Sequence, residues 1–142
     1  MAGQADGSII VDTEINPEGF KAGSSELLAA IKSLSSEVKE LGKILKEKLS
    51  SLYEFNVVGD IQGMGTLWAI ELMDNREKRT KLKEEYGVFI RDWCYEHGMI
   101  LRNNGNMLVI APPLVVTNEE VDEIVGNLRQ AISAAMKHFN RA

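Results

Sequence analysis

The sequence predicts an α+β fold: a small antiparallel or mixed sheet of three or four strands packed against two helices, preceded by a long amphipathic helix. Three observations carry this expectation. Leu27, Ile31, Leu34, Val38, Leu41 and Leu45 recur at alternating spacings of four and three, the seam of a heptad helix. From about Tyr53 onward, short alternating apolar runs take turns with helical ones, the order of a sheet with helices laid on it. The last segment opens on Thr117-Asn118-Glu119-Glu120 and then repeats apolar residues at helical intervals to Phe139.

Met1 to Gly7 is small and polar, as fraying termini are. Ser8 to Ile15 alternates Ile9, Val11, Thr13 and Ile15 against Ile10, Asp12 and Glu14, which predicts a short strand. Asn16-Pro17-Glu18-Gly19 reads as a turn. A helix is expected to start at Ser24 or Ser25, whose hydroxyls suit capping. Its charged residues, among them Glu37, Lys39, Glu40, Lys43, Lys46 and Lys48, fall off the seam. The stripe can pack on its own domain or make a homo-oligomer through Leu27, Ile31, Leu34, Val38, Leu41 and Leu45. Gly42 within it costs about 1 kcal/mol of helix propensity relative to Ala.

The change of pattern at Ser50 to Glu54 divides the chain into residues 1–52 and 53–142. Thr66 to Leu72 predicts a strand with Trp68, Ile70 and Leu72 on one face, after a bend or bulge at Gly63-Met64-Gly65. Asp74 to Lys83 is charged and reads as a loop. Tyr86, Phe89, Ile90, Trp93 and Cys94 mark a helical face that should stop at Gly98. His97, in its last turn, can favour the helix dipole when protonated. Met99 to Arg102 and Met107 to Ala111 predict a hairpin around Asn103-Asn104-Gly105-Asn106, with Asn-Gly at its centre. Thr117 and Glu120 have the spacing of a capping box, and Val121, Ile124, Val125, Leu128, Ile132, Ala135 and Phe139 form the buried face of the final helix. Gly63, Gly65, Gly98, Gly105, Thr117 and Glu120 are thus structural candidates.

Composition narrows the function. A chain of 142 residues with 44% apolar and 26% charged residues can build a globular core. A net charge of -5, with no basic stripe, argues against nucleic acid. No apolar run approaches the roughly 20 residues that span a bilayer, and no signal peptide is visible, so no membrane role and a cytoplasmic location are expected. One cysteine, Cys94, and two histidines, His97 and His138, supply neither an internal disulfide nor a metal site.

The run VGDIQGMGTLWAIEL from Val58 and the run CYEHGMILRNNGNMLVIAPPL from Cys94 resemble the C-terminal small domain of class III, pyridoxal-phosphate-dependent aminotransferases. The elements are Gly63-Met64-Gly65 leading to Ile70-Glu71-Leu72, and Gly98-Met99-Ile100-Leu101-Arg102, within a likeness over residues 54–142. TLWAIEL and RDWCYEHGMILRNNG are most similar to omega-aminotransferases of the taurine–pyruvate kind, acting on small amines and keto acids. The resemblance implies that Arg102 is the arginine that pairs with a substrate carboxylate, a task suited to a planar guanidinium. Asn103-Asn104 departs from the commoner Arg-Pro-Leu-Gly form at this loop. The resemblance also implies that the cofactor lysine, the carboxylate beside the pyridinium and the phosphate-holding residues lie outside this segment. The chain alone is therefore expected to hold no cofactor, to contain no catalytic residue and not to be an enzyme. The run ADGSIIVDTEINPEGFKAGSSELLAAIKSL resembles the N-terminus of phage tail tape-measure proteins, which implies a chimera whose first part is a structural coiled coil.

Overall fold

The computed structural model describes residues 17–140. The chain divides into two compact units between Leu34 and Ser35. The predicted strand at Ser8 to Ile15 and residue Asn16 lie outside the described residues.

Helix α1 spans Pro17–Ser50, so it begins before Ser24. Proline is compatible with a first helical turn because that turn leaves its N–H groups unbonded. The predicted turn is therefore, from Pro17 on, helix. Ser24 Oγ donates to Lys21 O at 3.0 Å and Ser25 Oγ to Ala22 O at 2.8 Å. These hydroxyls bond back along the helix instead of capping it.

In the first unit, Leu27, Leu28, Ile31 and Leu34 are each at least half exposed. In the second, Leu45 and Leu49 are fully buried, and Leu41 and Ile44 pack against the same core. The compact unit starts well before Ser50, where the change of sequence pattern falls. A heptad repeat marks where apolar residues line up, not what covers them.

After a 3-10 turn at Ser51–Glu54 come β1 (Val58–Met64), β2 (Leu67–Asn75) and the two-residue β3 (Thr80–Lys81). Helix α2 (Glu84–Glu96) follows, then β4 (Arg102–Asn104), β5 (Met107–Ile110) and α3 (Asn118–His138). The sheet order is β1-β2-β5-β4 with β3 beside β2, and every pairing is antiparallel. The α+β expectation holds, with five strands and three helices among the described residues.

The sheet's period of two sorts its side chains. Trp68, Ile70, Leu72, Leu108 and Ile110 face the helices and are buried, joined there by Leu45, Leu49, Ile90, Cys94, Val121, Leu128 and Ile132. The opposite, open face carries the cross-strand rows Gln62, Ala69, Val109, Arg102 and Asp60, Glu71, Met107, Asn104.

Two turns differ from the sequence expectation. Val58–Met64 is itself a strand, so the Gly63-Met64-Gly65 run ends one arm of a hairpin whose turn is Gly65-Thr66. Asn104 pairs with Met107, so the second hairpin turns on Gly105-Asn106, one residue later than Asn-Gly. Gly105, at φ 59°, is the residue that needs the left-handed region. Met99 to Leu101 is a connector, not a strand, although Leu101 is buried.

Gly42 is where α1 meets the sheet. A Cβ there would stand 3.1 Å from the backbone of Gly65, and a Cβ on Gly65 would stand 2.7 Å from Val38 Cγ1. The helix-propensity cost of Gly42 is thus set against a close approach of helix and hairpin turn.

Leu49→Ala should lower the unfolding free energy by about 2–5 kcal/mol, because it empties a fully buried site. Ile31→Ala, half exposed, should change it by about 0.5 kcal/mol or less. Urea denaturation of the two variants checks this, and equal losses would contradict the division of α1.

Candidate functional site

Arg102 opens β4, an edge strand of three residues, and its side chain is exposed on the open face opposite Val109. Among the described residues it is in no ion pair. Such a short strand needs supports besides its ladder to β5. On the helix side, Arg91 Nη1 donates to Asn103 Oδ1 at 3.0 Å. Gly87 of α2 lets the hairpin come close: a Cβ there would lie 2.7 Å from Gly105 O. On the sheet side, Asn106 bonds to β2 through its backbone and side chain, with Leu72 N donating to Asn106 O at 2.8 Å and Asn106 Nδ2 donating to Leu72 O at 2.9 Å.

The segment leading into β4 is fixed by the end of α2. Gly98 N donates to Tyr95 O at 3.2 Å and Met99 N to Cys94 O at 2.8 Å, with Gly98 at φ 81°. This is a Schellman ending, which caps the carbonyls of the last turn. His97 stacks on Trp93 with ring centroids 3.5 Å apart, and its Nδ1 is 2.7 Å from Trp93 O, so this nitrogen donates. His97 is engaged by its own helix.

A cleft of about 360 Å³ runs beside this connector, lined by Met99, Leu101, Ile110 and Ile124 together with Glu120 and Glu123. Glu120 is committed: Thr117 N donates to its Oε2 at 2.8 Å, and Glu120 N donates to Thr117 Oγ1 at 3.2 Å. Both halves of the capping box are present.

The remaining groups of chemical interest are structural. Cys94 is buried, and desolvation raises its thiol to about 11. Lys48 pairs with Asp122 and is half-buried, and every other described lysine is exposed. Asn106 is the one buried polar residue among the described residues. No group of three or more metal-binding side chains occurs among them, and no helix there is long and apolar enough to cross a membrane.

Sequence reasoning missed three residues. Arg76, read as part of a charged loop, donates to the carbonyls of Val58, Tyr53 and Phe55 at 2.8, 2.9 and 2.6 Å. Arg91 and Asn106, which brace the Arg102 strand, gave no signal because their partners are distant in sequence.

Residues 22–132 match the Aminotransferase class-III family. The chain belongs to that family, and the match takes in the heptad helix from Ala22 onward. Adenosylmethionine-8-amino-7-oxononanoate aminotransferase of Geobacter sulfurreducens is 41% identical over 93 residues, 63% of this chain and 20% of that protein. Putrescine–pyruvate aminotransferase of Pseudomonas aeruginosa is 29% identical over 66% of this chain and 21% of its own. The omega transaminase of Pseudomonas jessenii, solved with PMP, superposes with a TM-score of 0.73 at 26% identity, over 81% of this chain and 26% of that one. The chain spans about a fifth to a quarter of the relatives it matches.

The family's cofactor is pyridoxal phosphate. Among the described residues every lysine but Lys48 is exposed, and no aspartate or glutamate is buried.

The Cys94 thiol should react with a disulfide reagent at pH 8 only after denaturation, since burial and a raised pKa both suppress the thiolate. The folded form keeps the proton to about 11 and the unfolded form releases it near 9. Stability from this group is therefore full below pH 9 and lost as pH rises toward 11. Relative to Cys94→Ala, the wild type should lose about 2 kcal/mol over that interval, measured by urea denaturation at each pH; parallel curves would refute it.

Proposed function

We propose that this chain is the small-domain part of a class III, pyridoxal-phosphate-dependent aminotransferase of the omega type, and that these 142 residues do not catalyse amine transfer by themselves. The observation that carries the reading is the unequal coverage: solved aminotransferases align with three quarters or more of this chain but about a quarter of their own length. In the whole enzyme, Arg102 pairs with the carboxylate of a small amino or keto acid. Its support is positional: the guanidinium is exposed on the sheet's open face, on a strand braced from both sides. A guanidinium offers two parallel N–H donors to a carboxylate, which fixes orientation as well as charge.

The cofactor supplies electron withdrawal from the amine-bearing carbon when bound, and the lysine that holds it belongs to the part of the enzyme that these residues do not match. Self-association through the heptad seam is supported by the exposure of Leu27, Ile31 and Leu34; Val38 and Leu41 are half-buried and Leu45 is fully buried.

The chain should fold cooperatively in urea and yet form no alanine from pyruvate and putrescine, taurine or 4-aminobutyrate, beyond the rate of free pyridoxal phosphate. Chromatographic detection of alanine tests this. Turnover above that background, abolished by Arg102→Gln, would overturn the reading.

A further inference from the structure

We infer that Asn106 is a positioning residue for Arg102, an inference that rests on the reading of Arg102 as the carboxylate-binding residue. A buried amide is costly unless its hydrogen bonds are met. Asn106, 7% exposed, directs its side-chain N–H donors at one partner strand. Its Nδ2 donates to Leu72 O at 2.9 Å and to Glu71 Oε1 at 3.3 Å, while its own backbone carbonyl accepts from Leu72 N at 2.8 Å. Leu72 O also accepts from Leu82 N at 3.1 Å. One residue of β2 thus holds both the β4–β5 turn and Leu82, the residue that follows β3.

The position of this contact matters for β4. Strand β5 continues the β2 ladder from Met107 to Ile110, and among the described residues β4 pairs with β5 alone. Asn106 sits in the two-residue turn between them, so its bonds to β2 set how far the turn, and with it the three-residue arm carrying Arg102, stands over the open face. Register makes the link direct: Asn104 pairs with Met107, Met107 with Glu71, and Arg102 lies two residues along on the same face as Asn104. The Arg91 to Asn103 bond braces β4 from the helices; Asn106 is the brace from the sheet. An aspartate at this position has the same shape but only acceptors, and would face the Leu72 carbonyl and the Glu71 carboxylate without a proton to donate. Alanine removes the side-chain bonds without adding charge.

The test is nuclear magnetic resonance of the 142-residue chain, comparing wild type with Asn106→Asp and Asn106→Ala and titrating each with propionate. The expected result in Asn106→Ala is amide exchange about tenfold faster in β4 and β5, as loss of roughly one hydrogen bond implies. The Arg102–Val109 cross-strand contact should weaken, the Gln62–Ala69 contact should persist, and the propionate-induced shift of the Arg102 Nε–H should shrink. Asn106→Asp should show the same pattern more strongly. Unchanged exchange and an unchanged Arg102–Val109 contact in Asn106→Ala would overturn the inference. So would an equal loss in β1 and β2, which would make Asn106 a general fold residue. A wild-type Arg102 that ignores propionate, or a response that survives Arg102→Gln, would reject the carboxylate reading instead. The strand-specific exchange would then still decide whether Asn106 positions β4.

Discussion

Everything in residues 35–140 depends on closing one face of a small sheet. The strands present Trp68, Ile70, Leu72, Leu108 and Ile110 on that face, and α2 and α3 cover it together with Leu45, Leu49 and Leu52. Each of these three leucines is fully buried, which stabilises by about 1.5–3 kcal/mol per side chain. That is a large share of a margin of about 5–15 kcal/mol for a whole domain. The C-terminal half of α1 is therefore part of the core, and the Gly42–Gly65 approach follows from it. A helix that contributes leucines to the sheet must come down onto the hairpin turn, and a side chain at either glycine would hold them apart or force the turn to move.

The edges of the sheet are handled by polar contacts that leave the apolar interior undisturbed. Arg76 satisfies three carbonyls around the start of β1, and the Tyr53 hydroxyl accepts from Ile61 N at 2.8 Å. Both consume backbone groups that an edge strand would otherwise present to another chain. At the opposite edge, β4 is braced through Asn103 and Asn106 by α2 and β2. The two asparagines that depart from the family's commoner loop form are thus not equivalent: Asn103 faces the helices and accepts from Arg91, whereas Asn104 lies on the open face.

What was legible in the sequence was what depends on local order. The 3.6 and 2 periodicities of α2, α3 and β2, the Thr117–Glu120 box and the Gly98 ending are each written within a few adjacent residues, and each appears in the fold. The aminotransferase motifs were also enough to identify the family, because they lie in these well-patterned elements. The start of α1 escapes the sequence pattern because Pro17 and the serines suit both a turn and a first helical turn. The hairpin is displaced by one residue because Asn103, Asn104, Gly105 and Asn106 all tolerate a turn, and only pairing to β2 selects Gly105-Asn106. Arg76, Arg91 and Asn106 could not be singled out, since their roles come from partners 12 to 34 residues away that no local pattern announces.

The heptad seam illustrates the same limit more sharply. Leu27, Ile31 and Leu34 have the same spacing and chemistry as Val38, Leu41 and Leu45 farther on, yet half or more of each is exposed while Leu45 is sealed. Period fixes the stripe; burial is decided by what the rest of the chain brings to it. Arg102 is the converse case. Its charge on an open sheet face costs the fold little, because the guanidinium stays in water, so folding alone gives no reason for arginine at that position. A residue whose identity the fold does not require, on a strand that two separate networks hold in place, is where selection by ligand chemistry can act without a stability penalty.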